Sequence, residues 1–460
     1  MPVTNAARDR LRQGFAFRAT QRIEEAVATI DDAAALAPDD AAIALAQARI
    51  HWESWRPAAA LFARVTELAP DDPNAIGGLT AALAVEGRHD AADALLQATV
   101  TRHPAWVDGH LQLAQLRHGA AADAFDRSFA AATRVVPTHL PLWLAWFRLL
   151  ATARDWAGAR RVLAQATAQA GRQRALDLCA IFLASESDEA ATDPRLFDAA
   201  AGVDDPGLDL CRVRFWLRNA RPDRAEAIAL ARIDGPAART FWPYLSLAWR
   251  LMDDSRATWF DGGTAYIAAT DIEMPPAERA ALAATVRGLL ATGRRHLEQS
   301  VRGGIQTERN LFFHHDPTIQ RARGRVGTAV ADYIAALPPM LPGHPLLGPA
   351  RDTMLFEGSW SVLLRGDGHH APHTHSRGWI SSAFYLDLPD TAGDPDPHAG
   401  HLAFGTPPLE LGLDLPPIHR VEPAPARLVL FPSTTWHATL PFATGERLTI
   451  AFDVAVPAAG

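Results

Sequence analysis

Residues 369–379 read HHAPHTHSRGW, placing four histidines within seven positions of a chain that holds 18. Imidazole nitrogens suit iron, zinc, copper or nickel. His373 and His375 are spaced i,i+2, and on a strand that spacing puts both side chains on one face. A third histidine, His437, lies in FPSTTWHATLPF, just after an apolar run. Three protein ligands on one face would leave open coordination positions, as catalytic metals need and structural ones do not. Ten residues beyond His437, Arg447 is followed at i+2 by Thr449, in ERLTIAFDV. A guanidinium in an apolar strand needs a carboxylate or phosphate partner, since burying it unpaired is prohibitive. No acidic residue in the adjoining strands is an obvious partner, and a bound dicarboxylate would serve.

Strands must position these groups. From about residue 353 the apolar period is two: WSVLL, WISSAFYLDLP, HLAFGTPP, RLVLFPS and RLTIAFDVAV are short and rich in aromatic and β-branched residues. RGDG, DTAGDPDPHAG and PFATGE separate them as turns. About eight strands in some 105 residues suggest a jelly-roll, or double-stranded β-helix, barrel with its site inside.

The first half has another period. LAPDD occurs at 36–40 and again at 68–72, and Pro38, Pro70, Pro104 and Pro137 are 32, 34 and 33 residues apart. A period near 34 with Pro closing each unit is the tetratricopeptide signature. Phe62 and Ala58, like Leu96, Ala92 and Leu79, fall where a large and a small residue let paired helices cross closely. Weaker helical pairs continue to about 250. The expected architecture is α+β and multidomain. It has an all-α tetratricopeptide-like solenoid over 1–250, a helical connector over 251–345 and a double-stranded β-helix core over 346–460. AERAALAATVRGLLATGRRHLEQ and TIQRARGRVGTAVADYIAALP are the connector's expected helices. Between them, Arg302, Gln306 and Thr307 beside Gly303-Gly304 suggest a polar loop, able to touch substrate or merely to order itself.

The order of His-x-ligand, distant His and then Arg resembles the iron(II)/2-oxoglutarate-dependent oxygenases, over roughly 295–455. Within them the chain is similar to a bacterial group fused to tetratricopeptide repeats. EQSVRGGIQT, GSWSVLL, HTHSRGWISSAFYLDLP, FGTPP, LVLFPSTTWHATLPF and GERLTIAFDV carry that likeness. The resemblance implies Fe(II), with 2-oxoglutarate and O2 as co-substrates, and hydroxylation of a C–H bond with release of succinate and CO2. It implies metal ligation by His373 and His437, and Arg447 on the far carboxylate of 2-oxoglutarate, joined by Thr449 and Tyr385. His375 stands where the usual triad has a carboxylate. It could ligate, or stand back with water completing the coordination. A carboxylate from elsewhere, such as Glu357 or Asp387, could also supply the third bond.

The other candidates have plainer readings. His369 and His370 are expected at the barrel rim, with His401 and His419. FFHHDP at 312–317 suggests a turn and helix N-cap, and Trp360, Trp379 and Trp436 suggest core. A cupin-type metalloprotein also uses H-x-H. It adds a Glu a few residues beyond, where this chain has Gly378 and Trp379, and it leaves Arg447 unexplained. A non-enzymatic repeat scaffold with a metal-binding barrel is the other rival. A net charge of −8 argues against nucleic acid. MPVTNAARDR has no apolar run, and no 18-residue apolar stretch occurs. Cys179 and Cys211 lie in apolar surroundings as free thiols. The expectation is a cytoplasmic protein without a membrane span, with a peptide or protein partner on its repeats and an open oligomeric state.

Overall fold

The computed structural model describes residues 5–121, 124–187, 192–291, 300–391 and 393–457. They form a helical array followed by an antiparallel β barrel of jelly-roll type. The expected helix at 277–299 runs from Pro276 to Leu290, and residues 292–299 lie outside the described ones.

The repeats follow from local chemistry. Helices Ala41–Glu53 and Ala59–Leu68 form one pair, and Pro73–Val85 and His89–Arg102 the next. Each LAPDD ends one helix and starts another. Its Pro cannot continue the first helix. Its last Asp caps the second: Asp40 accepts from the Ile43 amide at 2.9 Å and Asp72 from the Asn74 amide at 2.8 Å. Phe62 is buried at the crossing with Ala58, Ala75 and Ala92. Gly78 abuts the Phe62 ring so closely that a Cβ would clash.

The chain divides into two compact units. One comprises residues 1–149 with 288–297 and 307–323, and the other 150–287 with 298–306 and 324–460. The helices from Trp156 to Asp261 thus share a unit with the barrel, although their sequence continues the repeats. The side chains of that unit show why. Trp436 donates its indole N–H to the Pro243 carbonyl at 2.9 Å. Arg239 and Arg250, on helix Ala238–Leu251, donate to the carbonyls of Gly378 and Gly405.

The barrel strands are β1 Ala268–Asp271, β2 Val301–Gln306, β3 Phe356–His373, β4 Gly378–Asp387, β5 Leu402–Phe404, β6 His419–Val421, β7 Arg427–Pro432, β8 His437–Thr439 and β9 Glu446–Ala455. Their order is β1-β7-β4-β9-β3-β8-β5-β6, with β2 also paired to β3. β3 is long enough to serve two partners. Its first part pairs with β9 and its last residues with β8. On β9, Arg447, Thr449, Ala451 and Asp453 share one face. The alternate residues Leu448, Ile450, Phe452 and Val454 are also buried, so this strand is covered on both sides.

The connector over 251–345, expected to be helical with a polar loop, also carries strands β1 and β2. The stretch read as a polar loop around Arg302 is strand β2, which pairs with β3 through a bulge between Arg302 and Gly304. Gly303 has φ +66° and lies against Gly368, an approach that a side chain would block. FFHHDP is the expected cap: Asp316 accepts from the Thr318 amide at 2.7 Å and opens helix Pro317–Ala336.

Asp261 is a cost of this packing. Burial raises its carboxyl to about 6, against weaker opposing effects of the Ser246 hydroxyl and Arg250. A raised acid favours the folded state while protonated, so its contribution is full below about pH 4 and is lost as the pH rises through 6. Asp261→Asn is expected to match the parent in urea unfolding at pH 4. At pH 8 it should be more stable, by roughly 2–3 kcal/mol. Equal stability at pH 8 would contradict this.

Candidate active site

The register of β3 on β8 pairs His373 directly with His437. His375 follows β3 by two residues and is tied back by its amide, which donates to the Ser433 carbonyl at 2.9 Å. The three rings converge. Centroids lie 4.2 Å apart for His373 and His437, 5.0 Å for His373 and His375, and 5.1 Å for His375 and His437. One nitrogen from each lies within 4.8 Å of the other two, and His437 is buried while the other two are half-buried.

The hydrogen bonds assign the tautomers. His373 Nδ1 faces the Ala371 carbonyl at 2.8 Å, and His437 Nδ1 the Thr435 carbonyl at 3.0 Å. His375 Nδ1 faces both carboxylate oxygens of Asp453, at 2.7 and 2.8 Å. Each partner only accepts, so each Nδ1 carries a proton, and in the neutral form of each ring the lone pair is on Nε2. Burial, with His375 nearby, pulls His373 down to about 3. Burial and the neighbouring histidines hold His437 well below its ordinary value. These two rings are neutral and ready to ligate at pH 7. Burial also pulls His375 down, but the Asp453 charge and hydrogen bond together outweigh it and raise this group.

Arg447 lies on β9, opposite Leu364 of β3. Its guanidinium donates to the Gly400 carbonyl at 2.9 Å and approaches the Thr449 hydroxyl at 3.3 Å. It also sits 4.7 Å from the centre of the Tyr385 ring. The residue is only 3% exposed, yet no carboxylate among the described residues pairs with it. Burial pulls the guanidinium below its ordinary value, against the attraction of Tyr385. The Tyr385 hydroxyl is buried and has no hydrogen-bond partner among the described residues. β4 pairs Tyr385 with Thr449, which brings the phenol, the hydroxyl and the guanidinium to one face. A buried cation lacking a counter-ion, beside an orphaned hydroxyl, fits an anionic occupant.

Several side chains reach places that sequence spacing did not indicate. His370 was expected at the rim. Its ring instead stacks on His373 at 5.8 Å between centroids, and its Nδ1 lies 3.2 Å from the Ser300 hydroxyl. That hydroxyl is also 3.3 Å from His373 Nε2. Ser300 immediately precedes β2, within the stretch expected to be a polar loop. His369 stays near the turn, facing the Asp367 carbonyl. Glu357 is held by Arg377 at 2.5 Å, and Asp387 by Arg287 at 2.5 Å, so both of these alternative carboxylates are engaged elsewhere. Trp379 and Trp436 are core, but Trp360 is half-buried with its ring 5.5 Å from that of His375. Phe404 and Phe431 wall the side near His437, Phe431 at 4.7 Å between centroids.

Residues 358–453 match the family model described as "Putative 2OG-Fe(II) oxygenase". No curated protein matches the chain. Among solved structures, a prolyl-4-hydroxylase from Pseudomonas putida aligns at 20% identity and TM-score 0.30, over 44% of this chain and 99% of its own. HygX from Streptomyces hygroscopicus, solved with nickel and 2-oxoglutarate, aligns at 12% identity and TM-score 0.28, over 44% and 87%. A tetratricopeptide repeat protein from Parabacteroides merdae aligns at 12% identity and TM-score 0.33, over 53% and 99%. Residues 358–453, within the C-terminal barrel, thus match a 2OG-Fe(II) oxygenase domain, and helices with a period near 34 residues precede the barrel in the chain.

Proposed function

We propose that the chain is an iron(II)- and 2-oxoglutarate-dependent dioxygenase that hydroxylates an unactivated C–H bond of a peptide side chain or small molecule. The observation that carries this reading is the buried Arg447 without a carboxylate partner, beside the orphaned Tyr385 hydroxyl, in a barrel where three imidazoles converge. Nε2 of His373, His375 and His437 would hold the iron. Arg447 would take the far carboxylate of 2-oxoglutarate through two N–H donors, with the Thr449 and Tyr385 hydroxyls completing the clamp. Bound iron(II), with O2 and 2-oxoglutarate, supplies the oxidation of the C–H bond and the release of succinate and CO2.

The chain's own contribution is to position and to exclude water. The three Nδ1–H donors fix the ring orientations before any metal arrives. Apolar walls from Val362, Leu364, Phe404 and Phe431 keep water from competing for the clamp. The helical repeats are the surface on which we place a peptide or protein partner. No described helix is long and apolar enough to cross a membrane, and we assign the protein to the cytoplasm.

The test is succinate formation from 2-oxoglutarate with Fe(II) present and absent. Metal-dependent succinate supports the reading. Its absence across a panel of peptides and small molecules, with metal and 2-oxoglutarate both bound, would favour the non-enzymatic scaffold. Tyr385→Phe separates the clamp from the fold. Removing an unsatisfied buried hydroxyl is close to neutral for stability, but it deletes one bond to the co-substrate. The expected result is an unchanged melting temperature with a Kd for 2-oxoglutarate raised about 5- to 10-fold. An unchanged Kd would remove Tyr385 from the clamp.

A further inference from the structure

Asp453 is buried, yet it does not take a ligand position in the histidine cluster. Its two oxygens both face His375 Nδ1, on the side away from the ring's free nitrogen. Ser381 holds the carboxylate from a second direction, with Oγ 2.6 Å from Asp453 Oδ1, and is itself bonded to Ser433 Oγ at 2.9 Å. The register explains the convergence. Asp453 of β9 pairs with Ser381 of β4 and with Gly358 of β3, and Ser433 follows β7. Four segments of the barrel therefore meet behind one imidazole. Trp360 flanks that ring, and the His375 amide is tied to the Ser433 carbonyl. Neither His373 nor His437 has such support, since each leans on a neutral backbone carbonyl.

The charge count gives this arrangement a purpose. A dication held by two imidazoles and a carboxylate keeps a net charge of +1 among its ligands. Three neutral imidazoles leave +2, which is costly in a partly dehydrated interior. A carboxylate bonded through the third imidazole restores the negative charge one residue further out. It also makes that ring a stronger donor and fixes its tautomer.

We propose that Asp453 is a positioning residue that acts through His375, so that the His375–Asp453 pair as a unit replaces the missing carboxylate ligand. This rests on the metal-centre reading above. Mn(II) affinity measured by calorimetry on the full-length protein tests it without reference to turnover. Wild type is expected to bind one Mn(II), and Asp453→Asn to bind it about 10- to 100-fold more weakly. In a His375→Ala background the Asp453→Asn change is expected to have almost no further effect, because the residue it acts through is gone. A purely structural role would lower affinity by the same factor in both backgrounds, and that additivity would overturn the proposal. So would an Asp453→Asn protein that binds Mn(II) as tightly as wild type. Should Asp453→Asn not fold, Ser381→Ala removes the hydroxyl that holds the carboxylate. It is expected to weaken Mn(II) several-fold, and unchanged affinity would overturn the proposal equally. Failure of wild type to bind Mn(II) would instead sink the metal-centre reading, and this inference with it.

Discussion

Arg447→Met is expected to abolish 2-oxoglutarate turnover while making the ligand-free protein more stable. The two effects have one cause. The guanidinium is dehydrated, with a single carbonyl, a distant hydroxyl and an aromatic face as partners, and no counter-charge. Replacing a poorly compensated buried charge by an apolar side chain of similar length stabilises proteins by roughly 1–4 kcal/mol. The same change removes the only buried cation available to the far carboxylate of 2-oxoglutarate among the described residues of the clamp. A charge-assisted bidentate pair in such a site is worth about 3–5 kcal/mol to binding, or on the order of 10²- to 10³-fold in Kd. Thermal unfolding and 2-oxoglutarate titration of the Mn(II)-loaded protein check both halves. A variant that loses stability and keeps its affinity would mean that Arg447 is a structural residue.

The second large effect belongs to His437. Its ring faces His373 across a strand pair and rests on Phe431, so its position is set by the barrel itself. Structural zinc sites bind with apparent free energies of about 10–16 kcal/mol, roughly 3 kcal/mol for each of four ligands, and Mn(II) binds more weakly than zinc. His437→Ala is therefore expected to weaken Mn(II) by on the order of 10²- to 10³-fold and to leave succinate formation undetectable. The fold should persist, because Phe404, Phe431 and Val429 form an apolar cluster that needs no metal. Circular dichroism beside the titration separates these outcomes. Turnover at the parent's rate would contradict the assignment.

Where local spacing carried the information, the site was legible. Arg447 with Thr449 is an i,i+2 pair within strand β9, and His373 with His375 has the same spacing across the end of β3, where the three histidine rings converge. Asp453 was equally within reach. It lies six residues past Arg447, on the same face of the same strand, although a carboxylate that acts through a histidine shows none of the spacing of a ligand. Ser300 and His370 were not legible. Their meeting depends on the register of β2 against β3, shifted by the bulge at Gly303, and no local pattern encodes that long-range pairing. β1 was missed for a related reason. AATD has neither β-branched alternation nor burial, and it is a strand only because the edge of β7 is there to pair with it. The repeats were legible through LAPDD, whose Pro and Asp act within one turn of helix. Where the repeats join the barrel's unit was not, because that depends on contacts such as Trp436 to Pro243, 193 residues apart.

The central claim is that three histidines hold the metal and Arg447 receives 2-oxoglutarate. A crystal structure of the protein grown without oxygen, with Mn(II) and 2-oxoglutarate, tests it most directly. The expected result is one metal bonded to Nε2 of His373, His375 and His437, with the far carboxylate of 2-oxoglutarate on Arg447 and Tyr385. A metal with water in place of His375, a carboxylate oxygen in its first shell from the protein, or 2-oxoglutarate bound away from Arg447 would contradict it.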